Sequence, residues 1–349
     1  MNHLVKPLRT VAFASLAWLA AASTMFAWSE LGHDGIAGLA QQKLTPATAK
    51  VVNKILGNQS MASVASWADW IRLGEVTKLA GGAAEEADVK AALPGSDTWH
   101  FVDLPLGVNE YSSTAPSAGA NDVVSGINKC ITILEGPDSS TPGGYDMHAI
   151  ALKMLIHLVG DIHQPFHVAC RYYRLGPVGA NTYVTDPVVV VQENARDDRG
   201  ANDLITAPPS NELHALWDGQ MVDEIDPDNI IKTPEQAADR SKDIQQIVAF
   251  LSPKLTTSYR IGNNHYHQWA ARWATDAIPV AQRAYVGIEV SGTLVANTKP
   301  GHETEIAPVV ISNFDVETYI SNHRSDAQEQ LLKAAGRLAD LLNSIHWHK

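Results

Sequence analysis

The sequence predicts a mainly α-helical fold, a multi-helix single domain with a small β-hairpin or flap. Apolar residues recur at helical spacing along most of the chain, clear strand patterns are rare, and internal repeats and low-complexity linkers are absent from the sequence. At 349 residues the chain is long enough to bury a substantial core. We therefore expect one domain over residues 28–349 whose C-terminal part is a helical addition.

The helices are predicted from caps, proline positions and apolar spacing. Thr45-Pro46 places an N-cap before a proline at the first helical position, which opens a helix that ends near Leu56. Val316–Ile345 carries leucines and alanines at the spacing of a core-facing stripe. The remaining predicted helices are Ser60–Leu73, Asn121–Leu134, Tyr145–Asp161, Glu212–Val222, Pro234–Leu251 and Asn264–Tyr285.

Strand patterns are confined to two short segments. Pro187–Gln192 contains four consecutive valines and is the clearest predicted strand, and Glu305–Ile311 is the second. The first of these lies within residues 171–197, for which we expect a flap over the cleft. Residues 290–301 have the composition of a loop.

The N-terminal 27 residues have the features of a secretory signal peptide. Lys6 and Arg9 precede an apolar run, and small residues lead to Ala27, after which we expect cleavage. An uncleaved membrane anchor is the alternative, since residues 10–27 reach the lower length limit of a spanning helix. Nothing else in the sequence could span a membrane. Cleavage predicts a secreted or periplasmic protein with no membrane attachment in its mature form.

The mature chain is acidic. Loss of Lys6 and Arg9 leaves 24 basic against 38 acidic residues, a net charge of −14. Such a chain lacks the basic surface of a duplex-DNA-binding protein, so bound cations must supply positive charge if it handles phosphates. Cys130 and Cys170 could form one disulfide or remain two buried thiols, and their small number slightly favours thiols.

The most informative segment runs from His157 to His167 and reads His-Leu-Val-Gly-Asp-Ile-His-Gln-Pro-Phe-His. His157 and Asp161 are four residues apart, so on a helix both side chains leave the same face. Pro165 ends the helix and directs His167 elsewhere. Imidazole and carboxylate donors without a nearby thiol suit a zinc site with a position open for water. We interpret His163 as a structural hydrogen-bonding residue.

Further donors of the same kind lie in five other segments. Each segment contains a histidine, an aspartate or a polar turn, and its neighbouring residues could position that group. The segments are Trp28 to His33, Ser66 to Asp69, Trp99 to Asp103, Asp198 to Asn202, and His214 to Asp218.

In order and spacing, these segments resemble the S1/P1-type zinc-dependent single-strand nucleases, whose fold is shared with zinc phospholipases C. The resemblance runs from Trp28 to about Asp276 and implies three zinc ions per chain. It implies a first site of Asp69, His100, His157 and Asp161, a second of His167, His214 and Asp218, and a third of His33, the Trp28 amine and carbonyl, and Asp161 as a bridge.

The same resemblance implies roles for residues around the metals. Arg72, one helical turn after Asp69, would bind the scissile phosphate, while Phe101 would stack on an unpaired base. Asp103 would accept hydrogen bonds from the edge of that base, and Asn202 would also contact the substrate. Two positions depart from the family pattern: Ala201 replaces the second of two glycines before Asn202, and Asp276-Ala277 replaces a glutamate–serine pair.

The resemblance implies a monomeric, secreted zinc-dependent endonuclease that hydrolyses phosphodiester bonds of single-stranded DNA and RNA. Its products would carry 5′-phosphates, and it would also act on nucleotides as a 3′-nucleotidase. A zinc phospholipase C is one alternative, although the bacterial phospholipases carry glutamate where this chain has Asp218. A non-catalytic zinc- or nucleic-acid-binding protein is the other.

Overall fold

The computed structural model describes residues 28–206, 212–228, 240–256 and 265–348. These residues form a mainly α-helical fold, as the sequence predicts. A π-helical turn, Leu216–Gln220, joins two of the short helices. The α-helices are α1 (Glu30–Gln41), α2 (Pro46–Ile55), α3 (Met61–Val64), α4 (Trp67–Leu73), α5 (Gly82–Ala92), α6 (Val123–Glu135), α7 (Met147–Asp161), α8 (Pro187–Gln192), α9 (Leu213–Ala215), α10 (Met221–Asp223), α11 (Arg240–Leu251), α12 (Trp269–Ala284) and α13 (Val316–Ser344).

The β structure of the described chain is limited to two-residue strands in four small sheets. The strands are β1 (Leu104–Pro105), β2 (Ala169–Cys170), β3 (Tyr172–Tyr173), β4 (Gly176–Pro177), β5 (Tyr183–Val184), β6 (Arg196–Asp197), β7 (Leu204–Ile205), β8 (Thr293–Leu294) and β9 (Val309–Val310). β1 pairs with β2 in parallel, β3 lies between β5 and β6, β4 pairs with β8, and β7 pairs in parallel with β9.

Helix α7 lies at the centre of the fold, and this placement brings polar side chains into the core. Asp146 caps its N-terminus by accepting hydrogen bonds from the backbone N–H groups of His148 and Ala149. The helix packs against α1, α4, α6 and α13, so nearly all of its residues are buried. His157 and Asp161 are fully buried. Burial of such groups is costly without compensating partners, which makes this end of α7 a candidate site.

The predicted strand at Pro187–Gln192 is wrong, because this segment is helix α8. Asp186 accepts a hydrogen bond from the backbone N–H of Val188, and Pro187 occupies the first helical turn. This cap and the preset φ of proline outweigh the strand preference of the valines. Val188 and Val191 are 59% and 68% exposed, as on one face of a short surface helix.

Helix α1 is not predicted from the sequence because its three glycines lower helix propensity. The structure gives a reason for two of them. A Cβ atom at Gly32 would lie 2.7 Å from the Cβ of Trp28, and one at Gly35 would lie 2.9 Å from a methyl carbon of Ile247. Close packing around α1 therefore requires glycine at these positions. Helix α5 is also absent from the predicted set.

The remaining predicted helices agree with the structure in type. The one predicted for Ser60–Leu73 is divided into α3 and α4, the one predicted for Glu212–Val222 contains the π-helical turn, and the others differ at their ends. The predicted loop of residues 290–301 includes β8. The second predicted strand is shorter than its predicted range and is confined to β9. The helix predicted from Pro234 is described from Arg240, and its first residues lie outside the described part of the chain. The predicted signal peptide also lies outside it. Cys130 and Cys170 are buried free thiols, as favoured above.

The apolar core is continuous from Trp28 to Ile345 and includes the C-terminal helix α13. Among the described residues, no helix combines the length and apolar character needed to cross a bilayer. The assignment of residues 28–349 to one domain stays a prediction.

Candidate metal centre

The predicted donors lie far apart in the sequence, and the fold brings them together at the C-terminal end of α7. Three groups of side chains place potential ligand atoms within 4.8 Å of one another. The groups are His33, His157 and Asp161; Asp69, His100 and His157; and His167, His214 and Asp218. The first two share His157 and form what we call the inner cluster, and the third is the outer cluster.

The inner cluster is organised around Asp161. One of its carboxylate oxygens lies 3.0 Å from Nδ1 of His100 and 3.2 Å from Nε2 of His157. The other lies 3.3 Å from Nε2 of His33. Because its two oxygens face different imidazoles, Asp161 is placed to bridge two cations, as the resemblance implies.

Hydrogen bonds to the backbone fix the orientation of His157. Its Nδ1 lies 2.8 Å from the carbonyl oxygen of Ala65. A carbonyl only accepts, so Nδ1 carries the proton and Nε2 points toward Asp69 and Asp161. Metal-binding histidines are usually oriented in this way.

In the outer cluster, two histidines are each oriented by a hydrogen bond from Nδ1 to a backbone carbonyl. Nδ1 of His167 donates to the carbonyl of His100 at 2.7 Å, and Nδ1 of His214 donates to the carbonyl of Gly200 at 2.6 Å. The two Nε2 atoms then face each other at 3.1 Å. Asp218 lies 3.3 Å from Nε2 of His214, and its other oxygen accepts from the Gln164 amide at 2.7 Å.

The outer cluster is suited to a cation for an electrostatic reason. Burial lowers the pKa of His167 and lowers that of His214 well below its usual value, so both rings are neutral. Each Nδ1 already carries its proton, which leaves two lone pairs facing each other in a buried space. A metal ion between them removes this repulsion. Burial and the negative charges of Asp69 and Asp161 also raise the pKa of Asp218 well above its usual value.

In the inner cluster the pKa of His157 is shifted upward, opposite to the shifts of His167 and His214 in the outer cluster. Burial alone would lower the pKa of His157, but the carboxylates of Asp161 and Asp69 outweigh it and raise this pKa to about 10. The pKa of Asp161 lies well below its usual value despite burial, mainly because of His157. Burial and the positive charge of Arg72 lower the pKa of His100 to about 4.

Several buried atoms of the inner cluster have no hydrogen-bond partner. They are both ring nitrogens of His33, Oδ2 of Asp69, Nε2 of His100 and Oδ1 of Asp161. Unsatisfied buried polar atoms are costly, and five of the fourteen in the described part of the chain lie together in this cluster. Imidazole nitrogens and carboxylate oxygens without thiols match a divalent cation of the zinc type.

Trp28 lies beside the inner cluster. Its indole N–H donates to the carbonyl of Gly160 at 3.1 Å, and the backbone N–H of Ser29 donates to the carbonyl of Asp218 at 2.6 Å. Trp28 and Ser29 are therefore held next to both clusters. The use of the Trp28 amine and carbonyl as ligands stays a prediction.

A cavity adjoins the metal centre, and its empty volume, including the open mouth, is about 440 Å³. It contains Arg72, Phe101, Asp103 and Asn202, the four residues that the sequence assigns to substrate. Nη2 of Arg72 donates to Asp69 at 3.0 Å, which ties the arginine to the inner cluster. The other lining residues are Phe166, His167, Arg199, His214 and Glu305.

Arg199 and Glu305 are cavity residues that sequence reasoning missed. Arg199 lies within the polar turn that the sequence singles out, but that turn gives no indication of which side chain faces the cavity. Glu305 is about 200 residues from Phe101 in the sequence. Only the folding of the chain brings it to the cavity, and no local motif marks it.

The loop of residues 198–202 links the cavity to the outer cluster. Arg199, Gly200 and Ala201 have left-handed backbones with φ of 54°, 56° and 67°. Asp198 stabilises this turn by accepting from the Ala201 N–H at 3.0 Å, and the amide of Asn202 donates to the carbonyl of Arg199 at 2.7 Å. The turn thus keeps a left-handed backbone where alanine replaces a family glycine.

Acidic side chains cluster at one side of the cavity: Asp103 and Glu305 line it, and Asp197 and Asp203 lie next to them. We call these four residues the acidic wall. Burial raises the pKa of Asp103 well above its usual value, and the charges of Asp197, Asp198 and Glu305 add to this effect. Burial likewise raises the pKa of Asp197 to about 7 and that of Asp203 to about 8.

His163 has the structural role that the sequence predicts. It is buried, its Nδ1 donates to the carbonyl of Val159 at 2.7 Å, and Nη1 of Arg337 lies 3.1 Å from its Nε2. Arg337 also pairs with Asp276, so α12 and α13 together hold the turn between Asp161 and His167.

Comparison with known proteins agrees with this geometry. The S1/P1 nuclease family pattern matches residues 28–346. Nuclease PA3 of a Penicillium species is 26% identical over 330 residues, which cover 91% of this chain and 98% of that protein. Nuclease S1 of Aspergillus oryzae is 27% identical over 60% of each chain.

A third relative is Nuclease P1 of Penicillium citrinum, which is 32% identical over 40% of this chain and 47% of that protein. The chain thus matches PA3 along nearly its full length and the other two over about half. Since the family pattern extends over residues 28–346 and all three buried donor groups fall within it, this protein belongs to the S1/P1 nuclease family.

Proposed function

We propose that the protein is a zinc-dependent endonuclease that hydrolyses single-stranded DNA and RNA to 5′-phosphorylated products and also removes 3′-phosphates from nucleotides. One observation carries the proposal: a single cavity is lined by His167 and His214 of the outer cluster, by the ring of Phe101, and by Arg72, which a carboxylate of the inner cluster holds. Leaving the cell through the predicted signal peptide would place the enzyme in the periplasm or the medium.

The residues of the chain have separate tasks in this proposal. Two zinc ions in the inner cluster would be held by Asp69, His100, His157, Asp161, His33 and the Trp28 amine and carbonyl, and a third in the outer cluster by His167, His214 and Asp218. When bound, zinc supplies Lewis-acid stabilisation and lowers the pKa of water toward about 7.

Arg72 orients the phosphate and offsets the negative charge that grows on it during the reaction. Its hydrogen bond to Asp69 fixes the guanidinium before substrate arrives. Phe101 stacks on a base, an interaction worth roughly 1–3 kcal/mol that any base can make. Stacking needs a base outside a duplex, which accounts for single-strand preference. Asp103 and Asn202 hydrogen-bond the same nucleotide.

The proposal is tested with protein that begins at Trp28, incubated with single-stranded and duplex DNA of the same sequence, with zinc and with a chelator. We expect chelator-sensitive cleavage of the single strand and 5′-phosphates on the products. Arg72→Ala should abolish most turnover while leaving the bound metal unchanged. Absence of chelator-sensitive cleavage from acidic to neutral pH would reject the enzyme.

The alternatives give different outcomes in the same assay. Hydrolysis of phosphatidylcholine in preference to DNA would identify a phospholipase C. Full metal content without turnover of any substrate would identify a binding protein. A variant with one extra residue before Trp28 tests the third site, because it should bind less zinc if the free amine is a ligand.

A further inference from the structure

Glu305 belongs to the cavity of Phe101 and Asp103 although it lies in the segment between α12 and α13. Its backbone is held on both sides. The carbonyl of Glu305 accepts from the Asn297 N–H at 2.9 Å, and the N–H of Ile306 donates to the carbonyl of Asp197 at 2.8 Å. The carboxylate is therefore presented from a backbone that is fixed to the turn bearing Asn202.

The side chain of Glu305 is also fixed. Its Oε2 lies 3.3 Å from Nε of Arg199 and 2.8 Å from Nδ1 of His302. Arg199 reaches Asp203 at 3.4 Å with its Nη1. The guanidinium thus supplies positive charge to an acid-rich wall, and it holds the Glu305 carboxylate at the cavity with only 13% of the side chain exposed.

A carboxylate in this position distinguishes bases by their hydrogen-bonding edges. Guanine presents two adjacent donors, N1–H and the N2 amino group, which can both donate to Oε1 of Glu305 while Oε2 contacts Arg199 and His302. Adenine and cytosine present one amino group beside a ring nitrogen whose lone pair repels the carboxylate. Uracil and thymine present one N–H between two carbonyl oxygens, the least favourable pattern for an acceptor-only group.

We propose that Glu305 is a specificity residue that makes the base-binding cavity favour guanine, with Arg199 as the positioning residue that holds its carboxylate. The inference rests on the proposed function for the identity of the ligand as a nucleotide. Stacking on Phe101 accepts any base, so selection must come from hydrogen bonds to the base edge. Glu305 adds a second carboxylate to that of Asp103 for this purpose.

The test measures binding of the four 5′-mononucleotides GMP, AMP, CMP and UMP to zinc-loaded protein by calorimetry, because binding does not depend on turnover. We expect GMP to bind about tenfold more tightly than UMP, the scale on which a bidentate contact distinguishes bases. Glu305→Gln keeps the size of the side chain but replaces one acceptor oxygen by a donor, and it should reduce this ratio to about one to two.

Glu303→Gln is the matched control. It removes the same charge two residues away, at an exposed side chain that does not line the cavity, and should leave the ratio unchanged. Glu305→Asp retracts the carboxylate without removing charge and should also lower the ratio, which guards against an effect of charge alone. Circular dichroism and zinc content establish that each variant is folded.

Two results would overturn the inference: wild-type protein without preference for GMP, or a Glu305→Gln variant that keeps it. Cleavage of the sixteen dinucleotides gives an independent measurement, in which Glu305→Gln should reduce the advantage of guanine-containing substrates. Guanine-selective binding without any cleavage would contradict the proposed function and support the inference, so the two can fail separately.

Discussion

The metal centre and the acidic wall both bury carboxylates beside one cavity, yet the two regions treat these groups in opposite ways. In the inner cluster, imidazoles surround Asp161, and its pKa lies well below the usual value even though burial acts in the other direction. In the wall, burial and neighbouring acids raise the pKa of Asp203 to about 8 and raise that of Asp103 well above its usual value.

The difference shows what each region needs in order to be stable. The inner cluster holds ionised carboxylates, which the raised pKa of His157 shows to be in need of positive charge. The wall holds acids that lack sufficient counter-charge, so protons or hydrogen-bond donors stabilise it. In the proposed function a nucleotide would bring both complements: its phosphate would bring negative charge toward the metals and Arg72, and its base would bring N–H donors toward the wall.

The largest expected effect comes from Asp161→Asn, which removes the shared carboxylate of the inner cluster. Both metals next to it should be disturbed together, and activity should fall by more than about 100-fold, because even residues that only orient a ligand cost 10–100-fold. Metal analysis and initial rates check this. Asp122→Asn is the control, a buried carboxylate that caps α6 and should leave the metal content unchanged. Loss of a single metal would contradict the bridging role.

Gly200→Ala should weaken the outer cluster alone. A Cβ at this position would lie 2.1 Å from the carbonyl oxygen of Phe166, and the residue has a left-handed backbone. The shift needed to relieve this contact moves the carbonyl that orients His214, so affinity for one metal should fall about 10–100-fold.

Gly287→Ala separates this effect from backbone strain. Gly287 also has a positive φ, of 77°, but a Cβ there meets nothing within 4 Å. It should cost only about 1 kcal/mol of unfolding free energy and leave metal affinity as in the wild type. Equal losses of metal in the two variants would mean that strain, rather than the position of the Gly200 carbonyl, is responsible.

Arg337→Met should lower stability more than metal affinity. It leaves buried His163 without its arginine partner and breaks the pair with Asp276, which is 46% exposed. We expect a loss of about 2 kcal/mol in urea unfolding, less than the 3–5 kcal/mol for a fully buried pair. Arg283→Met, which breaks an ion pair with Asp326 between the same two helices at a 50% exposed side chain, should cost less than about 1 kcal/mol. Equal costs would show that Arg337 has no special role.

The smallest expected effect is the pH dependence of stability that comes from Asp203 in the acidic wall. Since the folded pKa of Asp203 is about 8 and the unfolded value is 3.8, this group binds a proton in the native state that the unfolded chain has released. Its stabilising contribution is complete below pH 3.8 and is lost as pH rises through 8.

Asp203→Asn removes that dependence. The unfolding free energy of the Asp203→Asn variant, relative to that of the wild type, should rise by roughly 1–2 kcal/mol between pH 6 and pH 8. Urea unfolding at each of these two pH values measures it. Asp228→Asn, at an exposed position, should show no such trend. A constant difference between Asp203→Asn and wild type would mean that this carboxyl is already ionised at pH 6.

The sequence predicts the metal centre better than the acidic wall, for a physical reason. Two of the donor pairs, His157 with Asp161 and His214 with Asp218, are four residues apart on helices, so local geometry already brings them together. Glu305 reaches the cavity only through the pairing of its segment with residues 197–205, which local spacing does not encode.

The errors in secondary structure have similar causes. At Pro187–Gln192 the valine run favours a strand, whereas a single capping aspartate and one proline decide for a helix. At α1 the glycines argue against a helix, but close packing on Trp28 and Ile247 requires them. In both places the helix is determined by an interaction that the run of valines or the set of glycines does not reveal.

His100 serves the two clusters through different atoms. Its ring lies among the carboxylates of Asp69 and Asp161, while its backbone oxygen holds the ring of His167 in the other cluster. Any ion that immobilises this ring therefore also prearranges a ligand for the neighbouring ion. Zinc bound in the inner cluster should therefore raise the zinc affinity of the outer cluster.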